Sequence, residues 1–186
     1  MTVFTFILCL NIVLTLFSSI IAGCIYAYTD WSFYKVYSSI LFLLLFCQVI
    51  EIHDKIILNS FYEFKYVNIF IIVLTLIIVG IAVINKNFLA LSAVLEEGIY
   101  RIVAVLYFQQ LLNSDFILII IISVVFMFNH IYVIYRSPNS ITAFLILLVL
   151  NLGLIFIALY IDVWLCPLIH LMYDLEVIRR QKGGKL

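Results

Sequence analysis

The stretch "LSAVLEEGIYRIVAVLYF", Leu91 to Phe108, decides how this chain is read. It is apolar enough for a membrane-crossing helix, yet Glu96, Glu97 and Arg101 stand inside it. A charged side chain such as Asp, Lys or Arg at a helix centre in lipid costs about 2.5–3.5 kcal/mol on insertion scales. Three charges would nearly cancel the favourable transfer of their own span. They must therefore face a protein interior or a water-filled cavity, with partners. Glu97 and Arg101 are four apart, share a helical face and can pair. Glu96 lies about 100° around the helix from Glu97 and is left for something else.

Composition says what surrounds that helix. Of 186 residues, 67% are hydrophobic and 11% charged, and the mean hydropathy is +1.30. A soluble domain is about 45–50% apolar and about 25% charged. So much apolar surface cannot be hidden within a chain of this size, so an integral membrane protein is expected, with the lipid bilayer as its first partner. Zero formal net charge and the lack of a basic stripe argue against nucleic acid. Cys9, Cys24, Cys47 and Cys166 lie in apolar runs without C-x-x-C spacing, which suggests neither a disulfide framework nor a zinc knuckle. "IIAGC", Ile20 to Cys24, resembles a lipoprotein cleavage site, but no Lys or Arg precedes Lys35. A retained first span is the favoured reading.

Spans need about 20 mostly apolar residues, and helices satisfy their own backbone in lipid. The pattern predicts an all-α, polytopic transmembrane bundle of about seven helices: about 3–28, 36–58, 66–84, 88–112, 115–135, 140–161 and 163–178. Residues 1–178 form one integral membrane domain, with a motif-bearing core at about 88–178. Residues 179–186 form a basic tail, expected to be disordered. With that tail in the cytoplasm, Lys35, Lys86 and Arg136 also fall inside, which fits the positive-inside rule. Lys55 and Lys65 fall outside, offset by Asp54 and Glu63.

Two further spans carry polar residues. "FMFNH" places His130 four residues after Phe126, and "HLMYD" places His170 and Asp174 on one face. His53, beside Glu51 and Asp54 near a span end, reads as interfacial. At 1.5 Å per residue, Glu96 lies roughly 15 Å from the level of Lys86, His130 roughly 9 Å from Arg136, and His170 roughly 13 Å from Arg179. Asp174 is shallower. All four fall in the cytoplasmic half and can converge. An isolated histidine on a span reads as interhelical glue. Charges and histidines at matching depth on three spans read as a site.

A carboxylate facing imidazoles in a protected cavity suits water activation, the carboxylate as general base and a histidine orienting the water or donating to an oxyanion. The same groups suit a zinc ion that acidifies its bound water. Both chemistries stay open.

"EEGIYR", "FMFNH" and "HLMYD" match, in order, E-E-x-x-x-R, F-x-x-x-H and H-x-x-x-N/D. Roughly Leu89 to Ile178, including the approach "YIDVWLCPLIHLMYD", resembles the CPBP family of intramembrane proteases. That family includes the CAAX prenyl endopeptidases and the bacteriocin-processing or immunity proteins of bacteria. The resemblance implies that Glu96 activates water with His130 beside it, and that His170 and Asp174 hold the scissile carbonyl and its oxyanion. Glu97 and Arg101 would be the supporting pair. It implies a metal-free glutamate site or a metal site on Glu96, His130, His170 and Asp174. Asp174 departs from the Asn of the prenyl-endopeptidase branch; ionised, it accepts hydrogen bonds but donates none. It would then orient His170 or bind metal. The chain is short for the family, and residues 1–87 carry no motif of it; they are expected to form wall and access path.

Three functions are expected in order. The first is an intramembrane endopeptidase acting near the cytoplasmic face on a precursor peptide or lipidated peptide. The second is a silent member serving as a peptide-binding scaffold or self-immunity protein. The third is a transporter or proton pathway, against which stands the lack of paired broken helices.

Overall fold

The structure, a computed structural model, describes residues 3–52 and 66–183. His53, Asp54, Lys55, Glu63 and Lys65 lie outside the described residues. Among the described residues all regular structure is helical: α1 (Val3–Tyr28), α2 (Phe33–Ile52), α3 (Tyr66–Ile84), α4 (Phe88–Glu97), a π-helical stretch (Gly98–Val103), α5 (Ala104–Leu111), α6 (Asp115–Asn129), α7 (Ile131–Arg136), α8 (Ser140–Tyr160) and α9 (Leu165–Gly183). The apolar runs of the sequence fall on these helices. Polar punctuation separates them. Ser114 Oγ accepts from the N–H of Ile117 at the start of α6, and Asn139 Oδ1 from that of Thr142 at the start of α8. Asp162 Oδ1 accepts from Trp164 N–H in the turn before α9. After α3 the chain reverses at Lys86, whose φ is 58°. Lys86 N–H donates to Val83 O and Asn87 N–H to Ala82 O, the pair of bonds that closes a Schellman cap.

Three expectations need correction. The helix predicted at 88–112 changes winding at Gly98, and Ala104 N–H donates five residues back to Ile99 O. The helix predicted at 115–135 breaks at His130, whose φ and ψ are −90° and 3°. The basic tail is helical as far as Gly183, because no proline or glycine interrupts it sooner. Arg179 there pairs with Glu176 one turn back, Nε to Oε2 at 2.6 Å.

One helix among the described residues, α8, is long and apolar enough to cross a membrane; Val13–Tyr28, Phe33–Val49, Asn68–Ile84 and Asp115–Asn129 are shorter apolar segments. Large apolar side chains lie on the surface while several polar ones are inside. Phe42, Leu43, Phe70, Leu76, Phe116 and Val149 are exposed, while Thr15, Ser18, Asn129, Asn151, Glu97 and Arg101 are buried.

The rod made of α4, the π stretch and α5 is central. α4 packs against α2, α3 and α9; the π stretch touches α2 and α8, and α5 touches α6. Gly98 permits the α2 contact, since a Cβ there would meet Leu45 Cδ2 at 2.8 Å. Around that crossing lies an apolar core of Tyr37, Leu41, Leu44, Leu95, Ile99, Tyr100 and Phe126. A second cluster joins Val79, Ala82 and Ala90 to Leu171 of α9. These two contacts fix α4 between α2 and α9, with its polar residues at the meeting line.

Candidate active site

Glu96 and Glu97 close α4, immediately before the change of winding. Such π turns recur at functional sites, because one extra residue per turn re-aims neighbouring side chains. The two carboxylates point into different surroundings. Glu96 faces α6, where its Oε2 lies 3.2 Å from Nε2 of His130. Glu97 faces α9 and its own rod: Oε1 is 2.8 Å from Nδ1 of His170, and Oε2 is 3.3 Å from Nε of Arg101. The Arg101 contact is an ion pair without hydrogen-bond alignment, since neither atom has a hydrogen-bond partner. Asn151 of α8 aligns the guanidinium instead, its Oδ1 accepting from Nη2 at 2.8 Å, while its own Nδ2 donates to Ser123 Oγ at 2.9 Å. A fully buried charge pair needs such extra partners to offset its desolvation.

His130 is held from two sides. Its Nδ1 lies 2.9 Å from the carbonyl of Phe126, which can only accept, so Nδ1 carries a hydrogen. In the neutral ring Nε2 is then a lone pair turned toward Glu96. The Phe126 ring stacks on the imidazole at 4.1 Å between centroids, and the Arg101 guanidinium lies 4.9 Å from the Phe126 centroid. Phe126 therefore joins the Glu97–Arg101 pair to His130, which gives the F-x-x-x-H spacing a physical meaning. His170 is built alike. The Glu97 carboxylate takes Nδ1–H, and Nε2 points toward Asp174, whose Oδ1 is 3.9 Å away.

A cavity of about 510 Å³ joins these parts. Glu96, His130, His170 and Asp174 all line it, along with Tyr34, Tyr37 and Asn129. Glu97 and Arg101 lie behind the wall and are fully buried. The four residues expected to share a site thus share one cavity, although they come from α4, the α6–α7 junction and α9.

Sequence reasoning missed Tyr37, Asn129 and Asn151. None carries a charge, and each matters only through bonds to distant helices. An asparagine directly before His130, and another in the middle of an otherwise apolar span, were the available signals. From the part of the chain without a motif, Tyr34 and Tyr37 of α2 line the cavity.

Among the described residues no three His, Cys, Asp or Glu side chains are grouped to hold a metal ion. The polar groups stand as two sets, Glu96 with His130 and Glu97 with His170 and Asp174. Cys24 and Cys47 are exposed, and Cys166 is buried with its Sγ against Leu154 O. No protein-family model, curated protein or solved structure matches the chain.

Proposed function

We propose that this chain is a polytopic intramembrane endopeptidase of the CPBP type. The observation that carries the proposal is the meeting of Glu96, His130, His170 and Asp174 at one cavity, with Glu97–Arg101 sealed behind. The exposed apolar belt and polar interior support immersion of several helices in lipid, with the basic end of α9 in the cytoplasm.

In this reading a peptide segment lies in the cavity with its scissile carbonyl between Glu96 and His170. Glu96 takes a proton from water, and the water oxygen bonds to the carbonyl carbon as the carbonyl electron pair moves onto oxygen. His130 Nε2 orients that water beside Glu96. His170, in its protonated form, donates Nε2–H to the oxyanion while Glu97 holds Nδ1–H. Asp174 Oδ1, 3.9 Å from that Nε2, is too far to take its hydrogen and lines the cavity beside it. Collapse of the intermediate breaks the C–N bond, and the proton on Glu96 passes to the departing amine.

The test uses protein purified in detergent, wild type beside Glu96→Ala, offered internally quenched peptides with and without a lipid chain. Each is assayed with chelator, with added zinc and with neither. Wild-type cleavage lost in Glu96→Ala is the expected result, unaffected by chelator. Cleavage that survives Glu96→Ala removes Glu96 as base. Peptide binding without cleavage by either protein replaces the protease with the scaffold reading.

A further inference from the structure

A second cavity, of about 470 Å³, lies beside the first and shares Tyr34, Val133, Ser137 and Pro138 with it. The rest of its lining is aromatic with one cation: Tyr26 of α1, Phe33 of α2, and Tyr132 and Arg136 of α7. The proposed reaction uses none of these four.

The surroundings hold that cation in place. Tyr132 lies against the backbone of α1, where a Cβ on Gly23 would meet its Cε2 at 2.5 Å. Its ring also stacks on Phe33, at 5.1 Å between centroids and 16° between planes. Phe33 in turn stacks on Tyr37 at 5.6 Å. The Tyr37 oxygen accepts from Asn129 Nδ2 at 2.5 Å, and Asn129 Oδ1 accepts from Ser18 Oγ at 2.7 Å. The Arg136 guanidinium lies 5.6 Å from the Tyr132 centroid, within cation–π range. A ladder of rings tied to α1 and α2 thus sets where the charge of α7 stands.

Arg136 is exposed and, among the described residues, no carboxylate pairs with it. Asp30, on the α1–α2 connection, does not line the cavity, and Lys35 in the first turn of α2 offsets it. Arginine presents its N–H donors as a fork that fits an anion with several oxygens. Tyr26, Tyr34, Tyr132 and Ser137 bring hydroxyl groups to the same lining. Depth then selects the source of the anion. In the proposed orientation Arg136 ends α7 on the cytoplasmic side, roughly 9 Å beyond His130. Tyr28, Trp31 and Tyr135, close in sequence to Tyr26, Phe33 and Arg136, are exposed. Exposed Trp and Tyr at that level are belt residues of the membrane–water interface, where headgroups stand. Basic pockets between transmembrane helices on that side bind anionic headgroups.

We propose that this second cavity binds the phosphate of an anionic phospholipid headgroup, with Arg136 as its anchor and Tyr132 holding the guanidinium. The inference rests on the immersion of these helices in lipid and not on proteolysis. Through the shared wall, the headgroup stands next to the cavity of Glu96 and His130.

The test is native mass spectrometry of the full chain in detergent, titrated with dioleoyl phosphatidylglycerol or dioleoyl phosphatidylcholine. Wild type is expected to retain one phosphatidylglycerol at roughly 5- to 10-fold lower concentration than phosphatidylcholine. Arg136→Gln is expected to erase that preference with an unchanged melting temperature, since the side chain is exposed. Arg136→Lys keeps the charge without the fork and is expected to retain part of it. Arg179→Gln alters an exposed cation outside the cavity and is expected to leave the preference intact. A preference that survives Arg136→Gln, or that falls equally with Arg179→Gln, overturns the inference. Inorganic phosphate that displaces the lipid at equal concentration reassigns the cavity to a soluble anion, and a glutamate-bearing peptide that does so reassigns it to the peptide. Either result overturns the lipid. Wild type that fails to float with phosphatidylcholine vesicles removes the membrane reading itself, so the two failures are told apart.

Discussion

Glu96 and Glu97 are neighbours with the same functional group, and the fold treats them oppositely. Glu97 is fully buried and has a partner for each oxygen, His170 on one side and Arg101 on the other. Glu96 lines the cavity, and its Oε2 faces an imidazole nitrogen with no hydrogen bond between them. One carboxylate is sealed in protein and the other opens onto the cavity. The difference teaches that two acids side by side need not form a dyad: one rotation of about 100° along a helix suffices to send one into a packed wall and the other into a cavity.

Substitutions can break that division at several points. Glu96→Gln keeps shape and, under the proposed function, removes the base. We expect turnover to fall about 10²- to 10⁴-fold with the melting temperature unchanged, measured on the same detergent-purified protein. A comparable loss of stability would place Glu96 with Glu97 as scaffold. Arg101→Met should do the reverse, leaving Glu97 as an uncompensated buried charge. The expected cost is about 3–5 kcal/mol in denaturant unfolding, with expression reduced accordingly. Asn151→Leu removes one hydrogen bond to that guanidinium and strands Ser123, so about 1.5–3 kcal/mol is expected in the same measurement. If Asn151→Leu were neutral, Glu97, the carbonyl of residue 151 and the Phe126 ring would suffice to hold Arg101. The smallest effect lies far from the site. Lys86 occupies a left-handed cap position where glycine costs nothing, so Lys86→Gly should stabilise by about 0.5–1 kcal/mol and leave turnover untouched.

Much of the helical layout was legible because apolar runs interrupted by Ser, Asn, Asp and Gly carry their own boundaries. Expected ends at 28, 84, 88, 115 and 140 coincide with the observed ones. The residues around the cavity were legible for a different reason: charge and imidazole in lipid-grade sequence are expensive and therefore conspicuous. The winding change at Gly98 was not legible, since a shift from i+4 to i+5 bonding leaves no periodic trace over six residues. Nor was the break at His130, since apolar runs continue on both sides of the Asn129–His130 pair. Tyr37 and Asn129 escaped because a tyrosine and an asparagine are inexpensive to bury once paired, and their partners lie 92 and 111 residues apart in sequence. Linear patterns mark what is costly. They pass over what is already satisfied.

Phe126 has a consequence for how this site can change over generations. It serves His130 twice, through a carbonyl that fixes which ring nitrogen carries the hydrogen and through a ring that sets the tilt of the imidazole. The first service belongs to the main chain and passes unchanged through any substitution that keeps the helix. The second belongs to the side chain and is lost with the ring. A lineage can therefore drift at position 126 and still inherit the correct tautomer, while the aim of its histidine degrades. Chains changed at that position would then keep the same His130 tautomer with its ring free to turn from Glu96.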